Sequence, residues 1–530
     1  TPLTYQQNFD ASWQVPLNKL PLFDWLTADA KYNATYNWNR GTSLSTGMNM
    51  GGVVSSSRTA SGNVRLKMES LYNHIPFLKE ANKRFSTSGI NSAANKKNQP
   101  KKNYTSEIQL KPDTTVNVKH NQRSKKLRVT ALRPDGTKYP VKFKVLDNNN
   151  IQILSQDTVK VKITVQPKKR KEEQGWYQGL QLTARVAMLV RNVSVSYTNK
   201  YSMALPGFLP QAGDIFGQRA TDGGYAPGLR FAFGMVDDSY IDHAVRQGWL
   251  LQSDSIITPA TSNMGEDLQI RATLEPFTDV KIDLNASRST SQNSSTQYMI
   301  EGMPRTYSGS FNMTTMSIHT AFESMGDMDR GYKSASFDRF LGKLQYFQQK
   351  AEALYRGSTY PHGAALAGQP FDPKHGTVGQ YSAGVMIPAF LDTYTLSGRD
   401  GLSLMPALTA LLPNWTIKYA GLAKLPRMKK VFKSFNINHS YKSIYSIGSY
   451  NTFTSFQAMN GSHGFITDVT TGLPTPSTMY DMSTVSLNET FSPLAGIDMT
   501  FNNNLTAKVE YRKTRALTLS MTSGQITEAR

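Results

Sequence analysis

A chain of 530 residues with 39% hydrophobic and only 18% charged positions falls below the charged share of about 25% usual for globular domains, and 157 of its residues are Ser, Thr, Asn or Gln. Its 25 Tyr, 24 Phe and 6 Trp exclude a disordered chain, the lack of any Cys excludes a disulfide scaffold, a thiolate metal site and a thiol nucleophile, and the longest apolar runs, 383–391 and 402–413, are shorter than the roughly 18 residues of a spanning helix. The net charge of +21 is concentrated: residues 79–171 hold 23 basic and 6 acidic side chains, or +17, and the remaining 36 basic and 32 acidic residues nearly balance. The chain opens at Thr1 without Met or a signal peptide, and its first residues already read as a strand, so it reads as a piece of a longer protein.

From those first residues the pattern has a period of two. Asn8, Asp10, Ser12 and Gln14 alternate with Phe9, Ala11, Trp13 and Val15. Asn33, Thr35 and Asn37 alternate with Tyr32, Ala34, Tyr36 and Trp38 in a segment that keeps the pattern over 28–39. Residues 192–197 repeat it. Gln269 and Arg271 oppose Leu268, Ile270 and Ala272, and after a turn at 275–279, Asp283 and Asn285 oppose Ile282, Leu284 and Ala286. Further alternating stretches are 306–313, 435–450, 483–491 and 505–519.

A soluble sandwich alternates too, but its strands need only about five or six residues. These are as long as the roughly 9–11 residues of a tilted transmembrane strand. Trp13, Trp38, Trp176, Tyr177 and Tyr197 gather near strand ends, where an interfacial girdle places them. The expected fold class is therefore all-β, part of an antiparallel transmembrane β-barrel with a small all-β periplasmic insertion and short helices. Asn8, Asp10, Ser12, Gln14, Asn33, Thr35, Asn37, Gln269, Arg271, Asp283 and Asn285 are assigned to the lumen. Phe9, Ala11, Ala30, Tyr32, Ala34, Leu268, Ile270, Ala272, Ile282 and Leu284 are assigned to lipid.

The links sort into two kinds. Tight ones at 16–24, 275–279 and 424–431 suit the periplasmic side of a barrel, whereas 41–62, 199–265, 287–305 and 451–480 are longer, rich in Gly, Ser or Asn, and read as extracellular. Strand parity puts the basic insertion, 71–176, on the periplasmic side. Within it 71–84 has helical character, 91–103 is a polar linker, and about 104–166 forms a small β module with a turn at Pro134-Asp135-Gly136. Transmembrane strands are expected over 1–70, 177–198 and 266–322. Residues 199–265 are expected to form an ordered extracellular or vestibule element, because Phe208, Phe216, Phe231, Phe233 and Trp249 are too apolar to leave in water. An insertion at 323–380 carries an amphipathic helix, 336–356, expected on the inner or periplasmic face of the barrel, and strands and loops resume over 381–530.

Motifs for chemistry are missing. There is no nucleophile elbow, phosphate loop, dinucleotide fingerprint or metal-spaced His pair, so no catalytic residue, cofactor-binding residue or metal ligand is assigned and no cofactor is expected. His362, Asp372 and His375 share a Pro- and Gly-rich loop, and Asp327, Asp329 and Gly331 form a calcium-loop fragment that lacks its closing Glu; both read as solvated loops. Lys168, Lys169, Arg170 and Lys171 are candidates for docking an acidic periplasmic partner or anionic lipid. Stacking aromatics are too sparse around them for a nucleic-acid site.

Six segments carry a family resemblance. They are Leu71-Tyr72-Asn73 with Ile75-Pro76-Phe77-Leu78-Lys79; Leu205-Pro206-Gly207-Phe208-Leu209-Pro210; Ala226-Pro227-Gly228-Leu229-Arg230-Phe231-Ala232-Phe233-Gly234; Ala272-Thr273-Leu274-Glu275-Pro276-Phe277; Pro413-Asn414-Trp415-Thr416-Ile417-Lys418-Tyr419-Ala420-Gly421-Leu422; and Phe491-Ser492-Pro493-Leu494-Ala495-Gly496. In order, they resemble landmarks of the SprA/Sov family, the outer-membrane translocon of the type IX secretion system of Bacteroidota. The resemblance implies a very large single-chain barrel that passes folded cargo bearing C-terminal sorting domains. It also implies a lateral opening occupied in turn by a PorV-like shuttle barrel or a plug protein, further periplasmic accessory proteins, outer-membrane lipid around the wall, and no enzymatic activity. The alternatives are a TonB-dependent-type transporter or porin, and a repetitive β-rich surface adhesin.

Overall fold

The computed structural model describes residues 3–41, 50–85, 103–167, 175–252, 258–299, 303 and 305–530. They divide into two units, 1–71 with 190–530, and 72–189. The chain begins as a meander of β1 (Thr4–Val15), β2 (Leu26–Asn39) and β3 (Gly52–Lys67), paired antiparallel through registers such as Phe9↔Ala34 and Ala34↔Arg58. Residues 52–62 are thus strand and not loop.

The 72–189 unit follows α1 (Met68–Asn73) and starts with α2 (Pro76–Phe85). It continues through β4 (Tyr104–Leu110), β5 (Thr115–Lys119), β6 (Leu127–Leu132), β7 (Lys138–Tyr139), β8 (Lys142–Val145), β9 (Asn150–Leu154) and β10 (Val159–Pro167). Two sheets, ordered β4-β10-β6-β7 and β5-β9-β8, share one core containing Leu127, Ile151, Ile153, Val161 and Ile163. The unit closes with α3 (Gly175–Ala187). This corrects the assignment of 177–198 to strands: the strand starts only at Val190, and Trp176 and Tyr177 lie on a helix, not in a girdle. Tyr177, Gln181 and Arg185 recur every four residues, so a helix brings them to one face, and Tyr177 and Arg185 there meet Glu80 and Asn82 of α2.

The first unit resumes with β11 (Val190–Phe208), the hairpin β12 (Arg219–Thr221) and β13 (Gly224–Ala226), and the short helices α4 (Leu229–Ala232) and α5 (Ser239–Arg246). It then runs through β14 (Ala260–Leu274), β15 (Val280–Thr296) and β16 (Thr306–Thr314). After α6 (Ala335–Tyr355) and α7 (Ala383–Tyr394) come β17 (Asn414–Tyr419), β18 (Phe432–Thr452), the small sheet β19 (Gln457–Asn460), β20 (His463–Thr467) and β21 (Pro474–Thr478), and finally β22 (Tyr480–Asp481), β23 (Thr484–Phe501), β24 (Thr506–Ser520) and β25 (Gln525–Ala529). One 13-stranded antiparallel sheet takes the order β1-β2-β3-β11-β14-β15-β16-β18-β23-β24-β25, with β17 beside β15 and β18, and β22 beside β18. The protein is mostly β, and no helix among the described residues is long and apolar enough to cross a membrane.

β16 and β17 share one place in this sheet. β16 pairs with residues 288–295 of β15 and β17 with residues 280–285, while both pair with β18. A single strand position is therefore interrupted at mid-height, and the chain leaves it for residues 315–413. This excursion is longer than the 323–380 insertion expected, and it takes in α7, which falls where strands and loops were expected. α7 is apolar apart from Asp392, Thr393 and Tyr394, and all of it but Ala383 and Asp392 is buried, as its composition requires.

Each strand gives one row of side chains to either side of the sheet, and the register carries each row across it. On one side the rows are Ser, Thr, Asn, Gln and charged residues. The other is apolar near the tight links 275–279, 420–431 and 502–505, and in its opposite half is covered by the chain's own long connections. Over β1–β14 the cover is residues 209–250. Trp38 Nε1 donates to Pro210 O (3.1 Å), Tyr36 to Gly217 O (3.2 Å), Ser56 to Phe231 O (2.5 Å), Arg58 to Gly234 O (3.1 Å), and Tyr32 to Phe233 O. The phenol of Tyr240, pushed up by burial and held neutral, donates to Pro227 O at 2.6 Å. The hydroxyl and amide of Ser239 both donate to Asp237 and hold its carboxyl below the usual range.

Two expectations are corrected by this cover. The 199–265 element narrows to 209–259, since β11 runs to Phe208 and β14 starts at Ala260, and its 209–250 part packs on the apolar face instead of lining the polar one. Ala34, only 1% exposed, and Tyr32 sit beneath this cover and not against lipid. Over β16–β24 the cover is the 315–413 excursion with β20. Phe340, Leu344 and Phe347 of α6 and Ile387 and Phe390 of α7 join Phe311, Tyr445, Leu487 and Leu517 of the sheet in one core. Helix α6 therefore belongs to the apolar face at the end away from the tight links, not to the inner or periplasmic face.

The excursion is pinned where it leaves the sheet. Glu489 and Arg515, 1% and 3% exposed, pair at 3.0 Å. Ser317 and Tyr441 donate to the same Glu489 oxygen at 2.6 and 2.8 Å, and Arg515 donates to Thr320 O at 2.8 Å. Removing one partner of such a pair strands a buried charge. Arg515→Met is expected to cost about 3 to 5 kcal/mol, read as a fall in unfolding midpoint and faster proteolysis within 315–413, and the double change with Glu489→Leu should recover much of the loss.

Candidate functional site

The polar face of the large sheet is the widest chemically uniform surface of the 1–71 and 190–530 unit. Asn8, Asp10, Ser12 and Gln14 of β1 lie on it, register-paired as Asn8↔Thr35 and Asp10↔Asn33 with β2, whose Asn37 shares the row. Through β3, β11 and β14 the same row reaches Gln269 and Arg271, and Arg271↔Asn285 and Thr273↔Asp283 carry it to β15. All eleven residues assigned to the lumen from sequence thus share one face of one sheet. They do not converge on a point. They are spread along a wall.

Side-chain hydrogen bonds run across this wall from strand to strand. Asn33 donates to Asp10, Asn63 Nδ2 to Asp29 Oδ2 (2.9 Å), Ser196 to Asn63, Thr273 to Asp283 (2.8 Å) and Asn438 to Asp498, and the hydroxyls of Thr416 and Ser440 are 3.1 Å apart. Opposite charges are interleaved: Lys281 pairs with Asp283 at 3.0 Å, and Glu510 lies 2.6 Å from both Lys508 and Arg512. Such exposed pairs contribute little stability and interleave the two signs of charge along the face. A shallow recess of about 420 Å³ lies beside the β16/β17 junction, with Arg271, Asp283, Asn285, Thr416 and Lys442 at its rim.

Sequence reading missed part of the wall. Ser55, Ser57, Thr59 and Ser61 of β3 and Ser287, Ser289, Ser291 and Asn293 of β15 also lie on the polar face, yet both stretches read as loops. Their opposite rows, such as Ser56 and Arg58, or Arg288, Thr290 and Ser294, are polar too; Ser56 and Arg58 meet backbone carbonyls, Ser294 meets Ser262, and Arg288 lies over the Phe311 ring. Ser262 donates to Asp238 at 2.5 Å and shares a 2.6 Å hydrogen bond with Ser294. Near the tight links the opposite row is apolar, and Val64, Ile437, Val509 and Tyr511 are each more than a third exposed.

The docking candidates Lys168, Lys169, Arg170 and Lys171 lie outside the described residues, as does most of the 91–103 linker. Among the described residues no group of three metal-ligating side chains occurs. No family model matches the chain, and no characterised protein matches its sequence.

Because the 530 residues contain no Cys, single cysteines report cleanly on the two faces. If the polar face is wet and the opposite one meets lipid, Ser194→Cys and Asn285→Cys in membranes are expected to react with a membrane-impermeant maleimide, while Ile270→Cys and Ala272→Cys stay unreacted. Mass-shift labelling reads the result, and equal labelling of both sets would dismiss a sheet with one lipid face.

Proposed function

We propose that this chain forms part of the wall of an outer-membrane, protein-conducting β-barrel, the translocon of the type IX secretion system, through which folded cargo with C-terminal sorting domains is exported. The observation that carries the reading is the sheet itself: a face made mostly of amides, hydroxyls and charged side chains runs across it, backed near the tight links by apolar rows that include Val195, Ile270, Leu284 and Ile437. Strands β11, β14, β15 and β18, at 15 to 21 residues, supply the roughly 9–11 tilted residues that cross a bilayer, and the polar face has the character of a wet lumen. The open edges β1 and β25 need further strands before a barrel closes. The six sequence landmarks support the assignment to this family.

On this reading the tight links and the 72–189 unit face the periplasm, and residues 209–259, 315–413 and 453–483 buttress the wall outside the cell. Transport is passive at the wall. A lumen of amides, hydroxyls and balanced charges solvates many cargo surfaces without trapping any, and the driving energy comes from partners. A PorV-like shuttle barrel and a plug protein occupy a lateral opening in turn, and periplasmic accessory proteins complete the machine. No nucleic acid takes part.

A photo-crosslinking amino acid at Asn285, facing the lumen, should capture sorting-domain cargo in living cells, and the same group at Ile270 should not. Capture of small nutrient-binding partners without cargo would favour the TonB-dependent transporter, and extraction of the full chain without detergent would favour the adhesin. Independently, Ile270→Arg is expected to cost about 2 to 4 kcal/mol if it lies near the bilayer midplane, read as lost outer-membrane assembly, whereas Gln269→Arg on the opposite face should assemble normally.

A further inference from the structure

Helix α3 is built inside out. Gln181 and Arg185 are 2% and 5% exposed, and Arg185 Nη1 donates to Asn82 Oδ1 of α2 at 3.1 Å. The opposite face carries no charge, and Leu180, Leu182 and Val186 are 49%, 48% and 48% exposed. A helix in water does the reverse, burying its aliphatic residues and presenting its charges. Three half-exposed aliphatic side chains on one uncharged face forgo favourable burial unless something covers them.

Two features of the chain point to what covers them. Only Met188 and Leu189 separate the helix from β11, whose Val193, Val195 and Tyr197 belong to the apolar side of the sheet where no cover lies. Two residues reach about 7 Å, so if β11 crosses a bilayer the helix ends at its surface. The second feature is charge. Residues 79–171, immediately upstream, carry +17, and a basic segment next to a membrane-crossing element is drawn to anionic head groups within about a Debye length of 8 to 10 Å. An acidic protein would satisfy the charge but would leave unexplained the uncharged helix face at the foot of a membrane strand.

We infer that the Leu180, Leu182 and Val186 face of α3 lies in an anionic lipid surface as an interfacial helix, with basic side chains within 103–167 holding the unit against the head groups. The inference rests on the membrane-spanning reading of β11. It gives the insertion a task of its own: to hold its own unit against the membrane.

The test labels Leu182→Cys, and separately Ile270→Cys, with an environment-sensitive fluorophore in the full chain. The protein is reconstituted in phosphatidylethanolamine vesicles with and without phosphatidylglycerol, each carrying nitroxide-bearing lipid. Both labels should be blue-shifted and quenched by the lipid nitroxide when phosphatidylglycerol is present. The Leu182 signal should fall when that lipid is omitted or salt is raised, and the Ile270 signal should not change. A lipid-quenched Ile270 label beside a Leu182 label reached only by aqueous iodide, or shielded from both quenchers as beneath a protein partner, overturns the inference and leaves the wall standing. Quenching of Leu182 that ignores both phosphatidylglycerol and salt overturns the role of anionic lipid. Failure of both labels to meet lipid overturns the membrane reading together with the inference. Leu182→Glu with Val186→Glu, remote from the sheet, should abolish the lipid dependence while the Ile270 signal persists.

Discussion

The ladder of backbone hydrogen bonds that locks β1 to β25 in register is the constraint on which the rest of this structure depends. Side chains alternate along a strand between bulges, so once Phe9 is set opposite Ala34, and Ala34 opposite Arg58, the rows of β1, β2 and β3 are each committed to one side, and farther along the sheet only register shifts such as Asn438/Tyr441 reset the alternation. A slip of one residue anywhere would exchange a row of Ser, Thr and Asn for a row of Val, Ile and aromatic residues. The chain makes such slips costly by giving the two rows opposite solvent preferences over most of the sheet's width.

The two faces solve different problems. The polar one needs only water, and its cross-strand amide, hydroxyl and carboxylate contacts keep the side chains ordered without building a binding site. The apolar one has two kinds of surroundings along β11, β15, β18 and β23, which run to 17 to 21 residues. Near the tight links the row is aliphatic and suits lipid. Farther from those links the row on β2 and β3 becomes Tyr, Trp, Ser and Arg, whose donors reach the carbonyls of residues 210–234. Each such bond adds about 1 kcal/mol net, and together they hold an irregular segment flat against a sheet.

The interruption between β16 and β17 extends the same logic. A strand that stops at mid-height leaves room for 99 residues, 315–413, to depart on the apolar side, yet β17 restores the ladder below the gap. The Glu489–Arg515 pair sits at that departure point. Buried charge is a poor source of net stability, but it accepts only one geometry, and here that geometry fixes where the excursion leaves the wall.

Much of this fold was legible in the sequence. Period-two alternation over 8–15, 28–39, 268–274 and 280–286 located strands and separated their faces, because each strand's two rows meet different surroundings and must differ in kind. The PDG turn and the Val and Ile alternation after it located the small β module for the same local reason. What alternation could not see was where the surroundings themselves change. In β3 and the far half of β15 both rows are polar, so these strands read as loops; only the packing of 209–250 and its polar neighbours against them explains Ser56, Arg58 and Ser294. Ala34 read as lipid-facing because alanine says only that a site is small and apolar, and tertiary structure decided that the chain's own Phe233 segment covers it. α3 read as strand because its aliphatic residues are exposed and its Gln and Arg are buried, an inversion that no pattern within the helix announces and that only its contact with α2 reveals.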